Sequence, residues 1–290
     1  MVNEFSNAGG IERGRNVAEA PRIADLLAEA SAQGVAALDA QLLLQQLSGR
    51  SRAQLLGFGE EPVTDGVAAL FRAAAARRAA GEPLAYITGV REFWSLPLVV
   101  TPAVLVPRPE TELLVELCLG RLDHSPRLVA DLGTGSGAVA LALAKERPEW
   151  MLLATDVSPA ALEVAAINRE RLGIANLALR AGQWCDALPA DALDAIVSNP
   201  PYVAPGDPAL QHLAHEPVSA LVSPDDGYAD LLRIAADARN HLKRGAPLLL
   251  EHGAGQGGRL RQELETLGYT QACTHRDLAG LDRVTSAIWS

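Results

Sequence analysis

Cysteine is scarce in this chain: Cys118, Cys185 and Cys273 are the only three among 290 residues, widely spaced and in no Cys-x-x-Cys arrangement. That count excludes a disulfide framework or a structural zinc and points to reduced thiols in a cytosolic protein. The histidines lack metal-ligand spacing as well, and His212 with His215 reads as a solvated loop pair. No run of 18 or more apolar residues occurs, and the first 16 residues lack the apolar core of a signal peptide, so neither membrane insertion nor export is expected. Residues 1–16, polar and without period, read as a disordered tail or a remnant of cloning. Basic charge is also in short supply. With 25 Lys and Arg against 35 Asp and Glu, the net charge of −10 makes the surface as a whole repel a polyanion such as duplex DNA. Arg72, Arg77, Arg78 and Arg91 either solvate their segments or form a basic strip facing a partner protein. There is no internal repeat.

A chain with 49% hydrophobic and 21% charged residues has the profile of a soluble globular protein, and its length favours two domains. Ile23, Leu26, Leu27 and Ala30 follow helical spacing, and after Gly34 a second run sets Leu38, Leu42 and Leu43 on one helix face. Further helical stretches at 51–56 and 64–80 end at Gly81-Glu82-Pro83, which predicts a small helical domain over 17–83. Between Tyr86 and Pro107 β-branched and aromatic residues are broken by Gly89, Pro97 and Pro102, which predicts a β-hairpin linker over 84–107. The remainder, 108–290, opens with a helix near 110–119 and then alternates helices with apolar strands at 128–132, 151–155, 177–180, 195–198 and 247–251. That alternation marks an α/β, doubly wound parallel sheet. Two β-like runs at 269–275 and 283–289, with no helix between them, predict an antiparallel hairpin at the sheet edge.

Directly after the first of those strands stands Asp131-Leu-Gly133-Thr134-Gly135-Ser136-Gly137, and a helix opens behind it. Glycines let the chain turn sharply and bring its backbone N–H groups up to a ligand at the helix start. The spacing also satisfies a nicotinamide fingerprint, so the loop indicates a nucleoside cofactor without saying which one. Asp156, 21 residues past Gly135, ends the second strand, where a carboxylate either accepts from both ribose hydroxyls or serves as a turn or helix cap. The fourth strand delivers Asn199-Pro200-Pro201-Tyr202 to the carboxyl edge of the sheet, the ligand-binding edge of open α/β folds. Two prolines stiffen the run, leaving the Pro200 carbonyl and the Asn199 carboxamide oxygen as acceptors for a planar –NH2 group, with Tyr202 as a stacking face. The substrate is therefore an amide or an aromatic amine.

Glycine loop, strand-end acid and Asn-Pro-Pro-Tyr, in that order, resemble the S-adenosylmethionine-dependent methyltransferases that modify planar amino groups. From 23 to 289 the chain is similar, more specifically, to the release-factor glutamine methyltransferases (PrmC, also called HemK). The motifs that carry the likeness are Asp39 to Leu44, Gly81 to Gly89, Glu92-Phe-Trp94, Pro107-Arg-Pro-Glu-Thr-Glu112, Ser198 to Tyr202, Glu216-Pro217, Glu251-His-Gly253 with Gln256, and Asp282-Arg-Val284. The resemblance implies a seven-stranded Rossmann-like methyltransferase domain behind an N-terminal helical bundle. It implies transfer of a methyl group from S-adenosylmethionine to the glutamine amide nitrogen in the Gly-Gly-Gln loop of class 1 peptide chain release factors. It further assigns Gly133, Thr134, Gly135, Ser136, Gly137, Asp156 and Asn199 to the cofactor, Trp184 to its adenine end, and Asn199, Pro200, Pro201 and Tyr202 to the substrate glutamine, Asn199 and Pro200 being catalytic. From residue type alone Trp184 covers a base or plugs a core gap, Asp186 binds an exocyclic amine or solvates its loop, and Glu110 and Glu112 shape the pocket or cap their helix. The expected protein is a cytoplasmic monomer needing no metal, membrane or direct nucleic-acid contact. Rival activities are methylation of a ribosomal-protein glutamine, whose enzymes carry Pro-Arg-Ser in place of Pro107-Arg-Pro109, and methylation of a DNA amino group, which the net charge opposes. A non-catalytic RNA- or ribosome-binding factor on the same fold is the remaining alternative.

Overall fold

The computed structural model describes residues 20–290, so the stretch 1–16 read above as a tail lies outside the described residues. Two compact units divide the chain, one through Ala80 and the other Gly81–Ser290. In the first, helices Ile23–Ala32, Ala37–Ser48, Arg52–Gly57 and Asp65–Ala79 bury Leu26, Leu43, Leu44, Leu55 and Phe71. Ser51 caps its helix in a reciprocal capping box with Gln54, and Thr64 caps the last helix through the Val67 N–H, satisfying donors that a helix start leaves open. One helix faces otherwise than its apolar spacing predicts. Ala37–Ser48 turns Ala40, Leu43 and Leu44 inward and leaves Leu38 and Leu42 in solvent, because Ala40 and Leu44, one turn apart, share the buried stripe with Leu43.

The second unit begins with a helical turn, Leu84–Thr88, where the sequence predicts extended chain, and continues into the hairpin β1 (Val90–Phe93) and β2 (Leu96–Val99). Its two-residue turn falls at Trp94-Ser95, both with positive φ (51° and 58°), where Gly, Asn or Asp is usual. Three carboxylates hold it. The Trp94 N–H donates to Glu112 (2.9 Å), the Trp94 indole to Glu146 (3.0 Å) and the Ser95 N–H to Glu92 (2.5 Å).

The sheet contains β3 (Leu128–Leu132), β4 (Met151–Asp156), β5 (Leu177–Ala181), β6 (Ala195–Ser198), β7 (Pro247–Glu251), β8 (Tyr269–Arg276) and β9 (Asp282–Trp289) in the order β5-β4-β3-β6-β7-β9-β8. Strands β3 to β7 run parallel, and β9 and β8 close the edge antiparallel. The central strands are buried on both faces, hence their unbroken apolar runs. One face packs on Leu114, Val115, Leu141 and Trp150, the other on Leu231, Ile234, Leu260 and Leu264. Strand order reverses about β3, which sets the ligand crevice of a doubly wound sheet at the carboxyl ends of β3, β4 and β6.

Candidate functional site

Register builds the site. Leu132 of β3 pairs with Thr155 of β4 and with Ser198 of β6, and Ser198 pairs in turn with Leu250 of β7. The next residue on each strand is therefore Asp156, Gly133, Asn199 and Glu251, four neighbours in a row along the carboxyl edge. Over the first three of these opens a cavity of about 390 Å³, the size of a small-molecule site. Gly133, Thr134, Gly135, Ser136, Asp156, Trp184, Asn199 and Pro201 all line it. Gly137, Pro200 and Tyr202 do not. Gly137 caps the helix Ala138–Glu146, Pro200 is buried, and Tyr202 packs on the sheet core with its hydroxyl 3.3 Å from Glu251.

The glycine loop takes positive φ at Gly133, Gly135 and Gly137, a path that L side chains resist. A Cβ on Gly133 would lie 3.1 Å from the Trp184 ring, whereas one on Gly135 would meet nothing within 4 Å. The cradle is closed below by Trp184 and open above Gly135. Asp156 accepts from the Gly135 N–H and from the Ser158 N–H, both at 2.9 Å, so it shapes the loop and still has lone pairs for a ligand. The Trp184 indole N–H is buried without a partner among the described residues. An open cradle, a strand-end carboxylate and an unsatisfied indole donor fit the ribose and base of a nucleoside cofactor. Thr134 turns inward, its hydroxyl donating to Asp131 at 2.7 Å. Burial pushes the Asp131 carboxyl up to about 7 against the hydrogen bonds from Thr134 and the Ala140 N–H.

The opposite wall is the strap from Ala103 to Thr111. It is held by the Tyr86 hydroxyl, which donates to the Val104 carbonyl (2.5 Å), and by buried Glu216, which accepts from the Val106 N–H (3.0 Å) and pairs with Arg108. Asn168 ties the hairpin to the glycine loop, accepting from the Val99 N–H and donating to the Val99 and Ser136 carbonyls. On the substrate side, Asn199 Nδ2 donates to the Thr111 hydroxyl oxygen at 3.1 Å, and its carboxamide oxygen has no hydrogen bond among the described residues. Gln256 donates to the Tyr202 carbonyl (3.1 Å), and Gly227 lies so close that a Cβ there would sit 2.1 Å from that carbonyl oxygen. Residue reasoning gave no role to Thr111, Glu216, Glu251 or Gln256. The available signal was lone polar residues beside apolar ones, as where Leu248-Leu-Leu runs into Glu251. Asp186, Glu110 and Glu112 do not line the cavity, and Glu112 serves the hairpin turn instead. Among the described residues no group of His, Cys, Asp and Glu is arranged to hold a metal ion, and no helix is long and apolar enough to cross a membrane.

Known proteins align with nearly all of this. The PrmC N-terminal domain model matches residues 21–89 and the methyltransferase small domain model matches 109–223. A methyltransferase structure from Pyrococcus furiosus superposes with a TM-score of 0.51 over 73% of this chain and 96% of that one, at 18% identity, a likeness of fold. The release factor glutamine methyltransferase of Xylella fastidiosa (strain Temecula1) is 47% identical over 262 residues, 89% of this chain and 95% of that protein. That of Escherichia coli (strain K12) is 47% identical over 249 residues, 85% of this chain and 90% of its own length. Similarity at that level, running through both the helical unit and the sheet, means that the chain belongs to the release factor glutamine methyltransferase family.

Proposed function

We propose that this methyltransferase moves a methyl group from S-adenosylmethionine to the side-chain amide nitrogen of the glutamine in the Gly-Gly-Gln loop of class 1 peptide chain release factors. One observation carries the reading: Asp156, Gly133 and Asn199 leave three adjacent strands side by side, so an acceptor for a planar –NH2 group shares a cavity with a nucleoside cradle. The names of the relatives support the substrate.

S-adenosylmethionine supplies a methyl group already activated on a sulfonium, needing no metal, and leaves as S-adenosylhomocysteine. In this reading residues 133–136 and Asp156 bind it, the carboxylate taking the ribose hydroxyls and Trp184 flanking the adenine end, with Gly137 shaping the loop behind them. An amide nitrogen is a poor nucleophile because its lone pair is delocalised. The Asn199 carboxamide oxygen accepts one of its N–H bonds and so orients the nitrogen, and Pro201 walls the glutamine side chain, while Pro200 and Tyr202, which do not line the cavity, stiffen this run from behind. Such alignment contributes on the order of 7–11 kcal/mol when both reactants are held in attack geometry. A single glutamine offers little surface for selection, so the helical unit, which the sequence reading bounds at 17–83, takes the role of docking the release factor. The enzyme works in the cytoplasm as a monomer, without direct nucleic-acid contact.

Mass spectrometry of a release factor incubated with the protein and S-adenosylmethionine tests this. One added methyl on the Gly-Gly-Gln glutamine is expected. A release factor left unmodified while a ribosomal-protein glutamine gains the methyl would replace the reading with its nearest rival.

A further inference from the structure

Behind β7, Glu251-His252-Gly253 leads to Gln256 and the helix Gly257–Thr266. The Gln256 carboxamide reaches three backbone groups at once. Its oxygen accepts from the Gly253 N–H at 2.8 Å, and its –NH2 donates to the Tyr202 carbonyl at 3.1 Å and to the Asp226 carbonyl at 3.3 Å. These partners decide which way the carboxamide faces, because an N–H only donates and a carbonyl only accepts. Tyr202 closes the Asn-Pro-Pro-Tyr run, whose other end, Asn199, lines the cavity together with Pro201. With φ fixed at both prolines, a shift at the Tyr202 end is carried along the run to Asn199 rather than absorbed within it. The turn that supplies the Asp226 carbonyl has positive φ at Asp225, Asp226 and Gly227 (52°, 52° and 86°), a path uncommon for the first two residue types, and Gln256 ties it to Tyr202.

Gly253 is held from its other side by a chain of hydrogen bonds that runs one way. At one end the Arg261 guanidinium, a donor only, gives to the Thr274 hydroxyl of β8. The Thr274 and Thr285 hydroxyls are 2.8 Å apart, Thr285 of β9 lies 2.8 Å from His252 Nε2, and His252 Nδ1 lies 2.8 Å from the Gly253 carbonyl, an acceptor only. Nδ1 therefore carries a proton. His252 is fully buried, and burial holds its value below the ordinary histidine range, helped by the Arg283 and Arg261 charges and opposed by the Gly253 carbonyl and Asp282. A neutral ring protonated on Nδ1 presents Nε2 as an acceptor, so Thr285 donates to His252, Thr274 to Thr285 and Arg261 to Thr274. The Gly253 carbonyl where this relay ends also accepts the Gln256 N–H at 2.9 Å. A Cβ on Gly257 would lie 2.9 Å from Thr274 Oγ1 and 3.1 Å from His252 Cε1, so the helix start packs directly on the relay.

We propose that Gln256 is a positioning residue for methyl transfer, clamping the Tyr202 end of the Asn-Pro-Pro-Tyr run so that Asn199 keeps its place at the cavity, and that the relay from Arg261 to His252 locks the turn from which Gln256 works. The inference rests on the function proposed above and adds to it residues that stand outside the cavity.

The test uses Gln256→Glu, which keeps the shape and the acceptor for Gly253 but, when ionised, has no donor for the two carbonyls. Beside it stand Thr285→Val, which keeps the volume and cuts the relay, and Thr285→Ser, which restores the hydroxyl. The assays are the single-turnover transfer rate at saturating Gly-Gly-Gln peptide and calorimetric S-adenosylmethionine binding. Gln256→Glu is expected to slow transfer up to about a hundredfold at pH 8, the cost of misplacing a reacting group by about an ångström, with cofactor affinity near wild type. Its rate relative to wild type should climb as pH falls toward 5.5, because a protonated carboxyl regains one donor; taking the ratio cancels titration of Glu251 and His252, which both proteins share. Thr285→Val should slow transfer about tenfold, a smaller displacement, and Thr285→Ser should recover most of that. If Gln256→Glu does not fold, the Thr285 pair decides. A wild-type transfer rate in Gln256→Glu or in Thr285→Val, a loss that Thr285→Ser fails to recover, or cofactor affinity falling in step with the rate would overturn the assignment while leaving the proposed function standing. A wild-type protein that binds cofactor but transfers nothing to peptide or release factor would overturn both.

Discussion

Gly227→Ala is the substitution whose effect the structure determines most directly. Gly227 has φ +86°, and a methyl group added there would lie 2.1 Å from the Tyr202 carbonyl oxygen, 2.8 Å from its carbonyl carbon and 2.7 Å from Gln256 Nε2. Two of the three atoms are backbone and cannot swing aside. Gly206 provides the control, since its φ is +82° and nothing lies within 4 Å of the added methyl. Both changes carry the same left-handed strain, about 1–2 kcal/mol, and the same small gain from a stiffer unfolded chain, about 0.4–1 kcal/mol. The difference between them isolates the clash, about 1–3 kcal/mol for overpacking a rigid site. At about 2–4 °C per kcal/mol for a unit of this size, Gly227→Ala should melt about 2–12 °C below Gly206→Ala. The displaced atom belongs to the Asn-Pro-Pro-Tyr run, so peptide transfer should drop in Gly227→Ala while S-adenosylmethionine affinity, which the proposed function assigns to the β3 and β4 ends, holds. Paired melting curves with peptide kinetics decide it. Equal midpoints and equal turnover in the two variants would mean that the Tyr202 carbonyl is not packed against Gly227 in the working enzyme.

Asp156→Ala should raise the S-adenosylmethionine dissociation constant tenfold or more, because each charge-assisted hydrogen bond contributes about 1.5–3 kcal/mol and the Gly135 N–H loses its acceptor as well; unchanged affinity by calorimetry removes it from the site. Asn199→Ala should fold normally and transfer about a hundredfold more slowly, and retained single-turnover rates would contradict its role. Replacing exposed Phe58 and Leu70 of the helical unit together by serine should depress transfer to an intact release factor and spare a short Gly-Gly-Gln peptide, whereas equal losses on both would reject the docking role. For buried Asp131, whose folded value is about 7, the unfolded acid releases its proton near pH 4 while the folded one keeps it, so stability contributed at low pH is lost as pH rises to 7. Asp131→Asn should therefore show a shallower fall of thermal midpoint between pH 4 and 7, and an unchanged slope would place the charge elsewhere.

What the sequence determined by itself was whatever is local or periodic. The unbroken apolar run of Leu248-Leu-Leu, the glycines at 133, 135 and 137 and the paired prolines after Asn199 each restrict the backbone over a few residues, so the strands, the glycine loop and the stiff Asn-Pro-Pro-Tyr run were legible without neighbours. The hairpin turn was not, because Trp94 and Ser95 have no intrinsic taste for positive φ and are held there by Glu92, Glu112 and Glu146. Nor did spacing reveal that Leu38 and Leu42 face solvent: helical period defines faces, and only packing chooses which face is covered. The row of strand ends itself belongs to tertiary structure. Asp156, Gly133, Asn199 and Glu251 are neighbours only because β4, β3, β6 and β7 pair in one register, and Thr111 meets Asn199 across 88 residues of chain. Sequence order carries no sheet register between strands that far apart, because that register is chosen by the hydrogen bonds and side-chain packing of the assembled sheet.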